Sequence, residues 1–131
     1  MPDAHELYIA IATTMGSLLP DSIDRRTSIR LSFDTPIAQV HIDNARGGYE
    51  LHYNPTAECL QDPKQREFII MNECMHLIYL STHHLADDGV RRDLVRTQLI
   101  SEFEDNVRRQ AAWNEPVDFT VNTDVKLGDL I

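Results

Sequence analysis

Apolar residues recur at helical spacing in three stretches of this chain and alternate with polar residues between the first and second, and that pattern predicts its elements. From Asp3 to Leu19 the apolar positions Leu7, Ile11, Met15 and Leu18 make one helical stripe, with Asp3 placed to cap its start and Pro20 to mark its end. Residues 23–34 begin polar and then alternate Ile29, Leu31 and Phe33 against Arg30 and Ser32, which predicts a strand with one buried face, broken by Pro36. Ile37 to Ile42 is a further apolar-rich run. Asn44 to Gly48 supplies residues tolerant of positive φ, and Tyr49, Leu51 and Tyr53 then alternate with Glu50 and His52. Together these predict a hairpin, stopped by Asn54-Pro55.

Asp62-Pro63 sets a capping carboxylate and a helix-starting proline ahead of the longest apolar region. The helix predicted there runs from Pro63 to about His84, turns Phe68, Ile69, His76, Leu77 and Leu80 inward, and is ended by Asp87-Asp88-Gly89. A last helix, Val90 to about Ala112, has Leu94, Thr97, Ile100, Phe103 and Val107 at helical spacing. Trp113 to Ile131 carries Pro116, a short alternating run from Asp118 to Val121 and an acidic close, which predict an added strand or a loose tail over residues 114–131. The class expected is α+β: an N-terminal helix, a three-stranded and mainly antiparallel sheet, a central helix and a following helix. All of it forms a single domain over residues 1–131, without repeats or linkers.

Composition narrows the function. At 131 residues, 42% of them hydrophobic, the chain is long enough for one real core. Its 21 acidic residues outnumber 12 basic ones for a net charge of −9, which argues against non-specific binding to nucleic acid or to an anionic membrane. Two cysteines, Cys59 and Cys74, are too few and too unpatterned for a disulfide framework or a metal knuckle, so both are expected as free thiols. No basic segment precedes Leu7 to Leu19, and Thr13, Thr14, Gly16 and Ser17 interrupt that run, so neither a signal peptide nor a membrane span is expected. A cytoplasmic protein is the expectation.

The chemistry concentrates in Arg66 to His84. Residues four apart on a helix project from one face, so Asn72 and His76 stand side by side and Glu73 follows the first of them. In H-E-x-x-H proteases two histidines hold zinc at those places and the glutamate takes a proton from the zinc-bound water. This chain reads N-E-C-M-H, and a neutral amide oxygen is a poor donor for an ion that prefers imidazole or thiolate. His83 lies seven residues after His76, about 10 Å along the axis, too far for both to reach one ion. It and His84 are expected as helix-end residues favoured by the dipole. Glu102 follows His76 by 26 residues, a spacing at which a second helix can return a carboxylate, although Glu104 and Asp105 lie beside it and spacing does not choose among them. Cys74 points away from Asn72 and is expected as a small buried hydrophobe.

The run Tyr49-Glu50-Leu51-His52-Tyr53-Asn54-Pro55, the helix entering REFIIMNECMH and the later Glu102-Phe103-Glu104-Asp105-Asn106 together resemble the ImmA/IrrE-type zincin-like metallopeptidases over roughly residues 37–112. In that family a strand ending in Asn-Pro or Asn-Ser leads to R-F-x-x-A-H-E-x-x-H, and a later glutamate with an asparagine four residues on completes the zinc site. The resemblance implies a small zincin-like domain. Position by position it makes Glu73 the general base, His76 a zinc ligand, Glu102 the third ligand, Asn106 the partner of Glu102, and Asn72 the occupant of the first ligand place. Arg66 and Phe68 match the helix entry approximately. The amide at Asn72 implies weak zinc binding or none, with the buried polar groups hydrogen bonded among themselves or through water.

Three functions follow as expectations. The first is a degenerate zincin acting as a regulatory or inhibitory module that binds a protein, either a regulator or a host protein, in keeping with a family that commonly acts on regulators encoded by phages or mobile elements. The second is a working zinc endopeptidase or other hydrolase using Glu73. The third is an acidic protein that imitates nucleic acid.

Overall fold

The first helix starts where its cap predicts. Asp3 accepts the Glu6 backbone N–H on Oδ1 at 2.8 Å, and α1 (Ala4–Leu18) follows with its whole stripe, Leu7, Ile11, Met15 and Leu18, buried. After Pro20 comes a single helical turn, α2 (Asp21–Asp24), where the sequence pattern had begun a strand. Its Ile23 is buried in the core, which is why this polar-looking segment turns inward before extending. The computed structural model describes residues 3–43, 45, 47–85 and 89–111.

The strands are β1 (Thr27–Leu31), β2 (Ala38–Asp43) and β3 (Gly48–Tyr53). The hairpin forms as expected: β2 and β3 run antiparallel with Ala38 opposite Tyr53 and Asp43 opposite Gly48, and Gly47 takes a φ of 68°. The sheet is mixed, however, and not mainly antiparallel. Its order is β1-β3-β2, and β1 lies parallel to β3 with Ile29 opposite Leu51. Residues 32–37 carry the chain across the end of β3 instead of folding β2 back beside β1, so the third strand enters between the first two. Three bonds hold that arch: Ser32 N–H to the Tyr53 carbonyl at 2.8 Å, Asn54 N–H to the Ile37 carbonyl at 2.8 Å, and the Asn54 side-chain amide to the Thr35 carbonyl at 2.9 Å. Gly48 is required where β3 begins, because a Cβ there would sit 2.3 Å from the Arg26 carbonyl oxygen.

One face of the sheet is the core face, with Tyr49, Leu51 and Tyr53 buried and Ile29, Ala38 and Val40 packed beside them. The alternation predicted for β1 does not bury its whole length: Phe33 falls beyond the strand and is 66% exposed, and Leu31 is also exposed.

The central helix, α3 (Pro63–Thr82), begins with Asp62 Oδ2 accepting from Gln65 N–H at 3.1 Å and with Pro63 in its first turn. It ends two residues before the predicted His84, and His83–Leu85 continue as a 3-10 turn. Its buried face differs from the predicted one. Ile70, Met71, Cys74, Met75, Leu77 and Ile78 are buried with Glu73 and Thr82, whereas Phe68 is exposed and Ile69, His76 and Leu80 are half-buried. The cause is that α1, β2 and the last helix all pack on α3, so it is covered around most of its circumference and no single stripe marks its inside.

That last helix, α4 (Gly89–Ala111), returns along α3. Phe103 and Val107 are buried and Ile100 is packed against the core, as the spacing predicted, while Leu94 and Thr97 lie exposed. Arg96 ties the two helices: its Nε donates to Thr82 Oγ1 at 2.7 Å, and its guanidinium lies 4.4 Å from the centroid of the Tyr79 ring. The run Asp118 to Val121, the rest of residues 112–131, and Asp87-Asp88 lie outside the described residues. No helix among the described residues is long and apolar enough to cross a membrane.

Candidate functional site

Asn72, Glu73 and His76 all lie on α3, one turn apart, because the capped and proline-started helix runs uninterrupted through them. Glu73 is 8% exposed, and burial alone pushes its carboxyl from an ordinary 4.5 up to about 7. Cys74 is fully buried, as expected of a small hydrophobe; burial first, then the charges of Glu73 and Asp24, push its thiol well above the ordinary range. His76 is half-buried. Asn72 carries the anomaly of the helix: its Oδ1 is buried and accepts no hydrogen bond from another side chain or from the backbone. His83 sits at the C-cap of α3, exposed, in the helix-end role expected of it.

Glu102 and Asn106 lie one turn apart on α4. The Glu102 side chain is exposed and lines a groove of about 770 Å³ with Gly16, Pro20, Arg25, Asp105 and Arg109. Among the described residues, neither Asn72, Glu73 nor His76 lines that groove. Asn106 also faces α1: its side-chain amide donates to the Leu18 carbonyl at 2.9 Å and more loosely to that of Leu19 at 3.5 Å, which satisfies the last carbonyls of α1, and its Oδ1 accepts from Arg109. The structure therefore brings Asn72, Glu73 and His76 together, and sets Glu102 and Asn106 on the side of α4 that faces α1 and α2. Arg66, at the helix entry, donates to the Leu60 carbonyl at 3.0 Å and fixes the turn before α3.

As a zinc site the residues do not fit. The donor set would be one amide oxygen, one imidazole and an exposed carboxylate that lines a different groove, where zinc calls for three strong donors converging on one point.

A second group of chemically capable side chains was missed by motif reasoning. On the sheet face opposite the core, the His41 and His52 rings stack with centroids 4.0 Å apart and planes 28° apart. His52 Nε2 lies 2.8 Å from Glu50 Oε2, and Arg30 Nη1 lies 3.9 Å from the same oxygen. Burial, then His52, lowers the His41 pKa, while Glu50 opposes them. The available signal was the alternation itself: once Tyr49, Leu51 and Tyr53 face the core, Glu50 and His52 must share the other face, and the hairpin register adds His41. No family model matches the chain, and no match is found among curated proteins or among solved structures.

Proposed function

We propose that this protein is a degenerate zincin-like module that binds a protein partner and regulates or inhibits it without hydrolysing it. The observation that carries this reading is the buried, unpartnered amide oxygen of Asn72 standing where the resemblance to the ImmA/IrrE-type metallopeptidases requires an imidazole. The side chain keeps the position and lacks the donor strength. A binding role is supported by Val90 and Leu94, two large apolar side chains one turn apart on α4 that are 73% and 68% exposed on an otherwise acidic molecule.

The test is the metal. Four-ligand zinc sites in small domains contribute on the order of 10–16 kcal/mol, and exchanging one imidazole for an amide weakens binding by about 3 kcal/mol, more than a hundredfold. Protein dialysed after exposure to zinc is expected to retain well under one ion per chain by elemental analysis; one tightly held zinc per chain overturns the reading.

The second reading, a working hydrolase, is favoured by Glu73, because a carboxyl at about 7 suits general acid–base work at neutral pH. Glu73→Gln discriminates. In folded protein it leaves a binding activity nearly unchanged and lowers a hydrolytic one by on the order of a hundredfold.

A further inference from the structure

We propose that the face of the sheet opposite the core is a binding site for a small planar anion, a ring bearing a phosphate or carboxylate, held by Arg30, His41 and His52 beneath Phe33. A pocket of about 500 Å³ opens there, with Arg30, Gln39, His41 and His52 from all three strands among its lining and with Phe33 and Asp34 of the arch as its rim. The arch is fixed on both sides by the Ser32 and Asn54 bonds, and Thr35 within it is buried, so the pocket is preformed and Phe33 is presented to solvent from a rigid segment.

The pocket lining carries one guanidinium and two imidazoles against Asp34, with the Glu50 carboxylate behind His52 and Arg30 as a second negative charge, so the pocket turns positive only when the imidazoles are protonated. Glu50 does not line the pocket. It meets His52 Nε2 at 2.8 Å and one edge of Arg30 at 3.9 Å, and the Arg30 side chain, 70% exposed, leaves the rest of its guanidinium to a ligand. Asp43 shares this sheet face, at the other end of the hairpin from Gln39. The stacked imidazoles are poorly placed to carry two protons at once, since each charge opposes the other across 4.0 Å, and an anion over the pair removes that opposition. Binding and protonation are therefore linked: an anion favours the protonated form of the imidazoles it touches, and affinity rises as pH falls. Phe33 gives the ring a face to stack on, which inorganic phosphate cannot use.

Phenyl phosphate and inorganic phosphate serve as probes, followed by the imidazole C–H proton resonances and by calorimetry at pH 6 and pH 8. At pH 8, where both probes are dianions, phenyl phosphate is expected to bind more tightly than inorganic phosphate; it is also expected to shift the His41 titration upward and to bind about tenfold more tightly at pH 6. Arg30→Ala is expected to weaken both probes about tenfold, and Phe33→Ala to weaken only phenyl phosphate. Both positions are exposed, so circular dichroism and melting are expected to match the parent. No saturable binding at millimolar concentration, binding that moves neither histidine, or affinity indifferent to Arg30→Ala overturns the proposal. Equal binding of the two probes, unchanged by Phe33→Ala, overturns the assignment of a ring.

Discussion

Glu73 is a side chain whose surroundings set the pH behaviour of the fold. With its carboxyl raised to about 7, the folded state keeps a proton that the unfolded chain releases near 4.5. Between those values the folded state binds more protons, so stability falls as pH rises through the window, and above about 7 the whole penalty is present. The shift corresponds to about 3 kcal/mol at pH 8. Glu73→Gln keeps the shape and removes the charge. It is expected to be about 3 kcal/mol more stable than the parent at pH 8 and nearly equal to it at pH 4, read from urea unfolding at each pH. Equal stability of the two proteins at pH 8 would mean that the carboxylate finds compensation when it ionises. His41 acts in the opposite sense: its lowered pKa makes the unfolded chain the better proton acceptor below about 6.5, so its share of stability is lost as pH falls through that value.

At the scale of elements, Asn106 shows a residue placed by a helix end. Its position four after Glu102 matches the spacing of the family the sequence resembles, but its amide reaches the Leu18 and Leu19 carbonyls and closes the end of α1 against α4. Asn106→Ala leaves those carbonyls without their donor and is expected to destabilise the fold by about 1 kcal/mol, with a loss that is the same with and without zinc. A loss that appears only with zinc would return Asn106 to the metal site. The elements themselves were legible wherever local chemistry fixed them: Asp3 and Asp62 at the helix starts, Gly47 in the hairpin, the α1 stripe. Legibility failed where the answer depended on what packs alongside. The place of β3 between β1 and β2 is decided by an arch pinned through Asn54, and the inside of α3 by three neighbours at once. Neither leaves a periodic trace. The candidate site divides the same way, because the adjacency of Asn72, Glu73 and His76 follows from helix geometry alone, while the direction of Glu102 depends on how α4 is rotated against α1.

For the molecule as a whole, the question is whether this arrangement of helices can still support a metal if the donor is restored. Asn72→His would place two imidazoles four apart on α3, with Glu73 between them. An ion that binds only the folded state stabilises it by mass action, by about 2.7 kcal/mol when free zinc stands a hundredfold above its dissociation constant. In a domain of this length that amounts to a rise in melting temperature of about 10 °C. The expectation is that zinc raises the melting temperature of Asn72→His by about 5–10 °C, leaves the parent nearly unmoved, and loses its effect when His76→Ala is added to the variant. A parent that responds to zinc as strongly as the variant would show that the amide at Asn72 is no obstacle, and the hydrolase reading would take precedence. A variant that does not respond would show that restoring the imidazole at position 72 does not by itself make a metal site, and the resemblance would lose its chemical content.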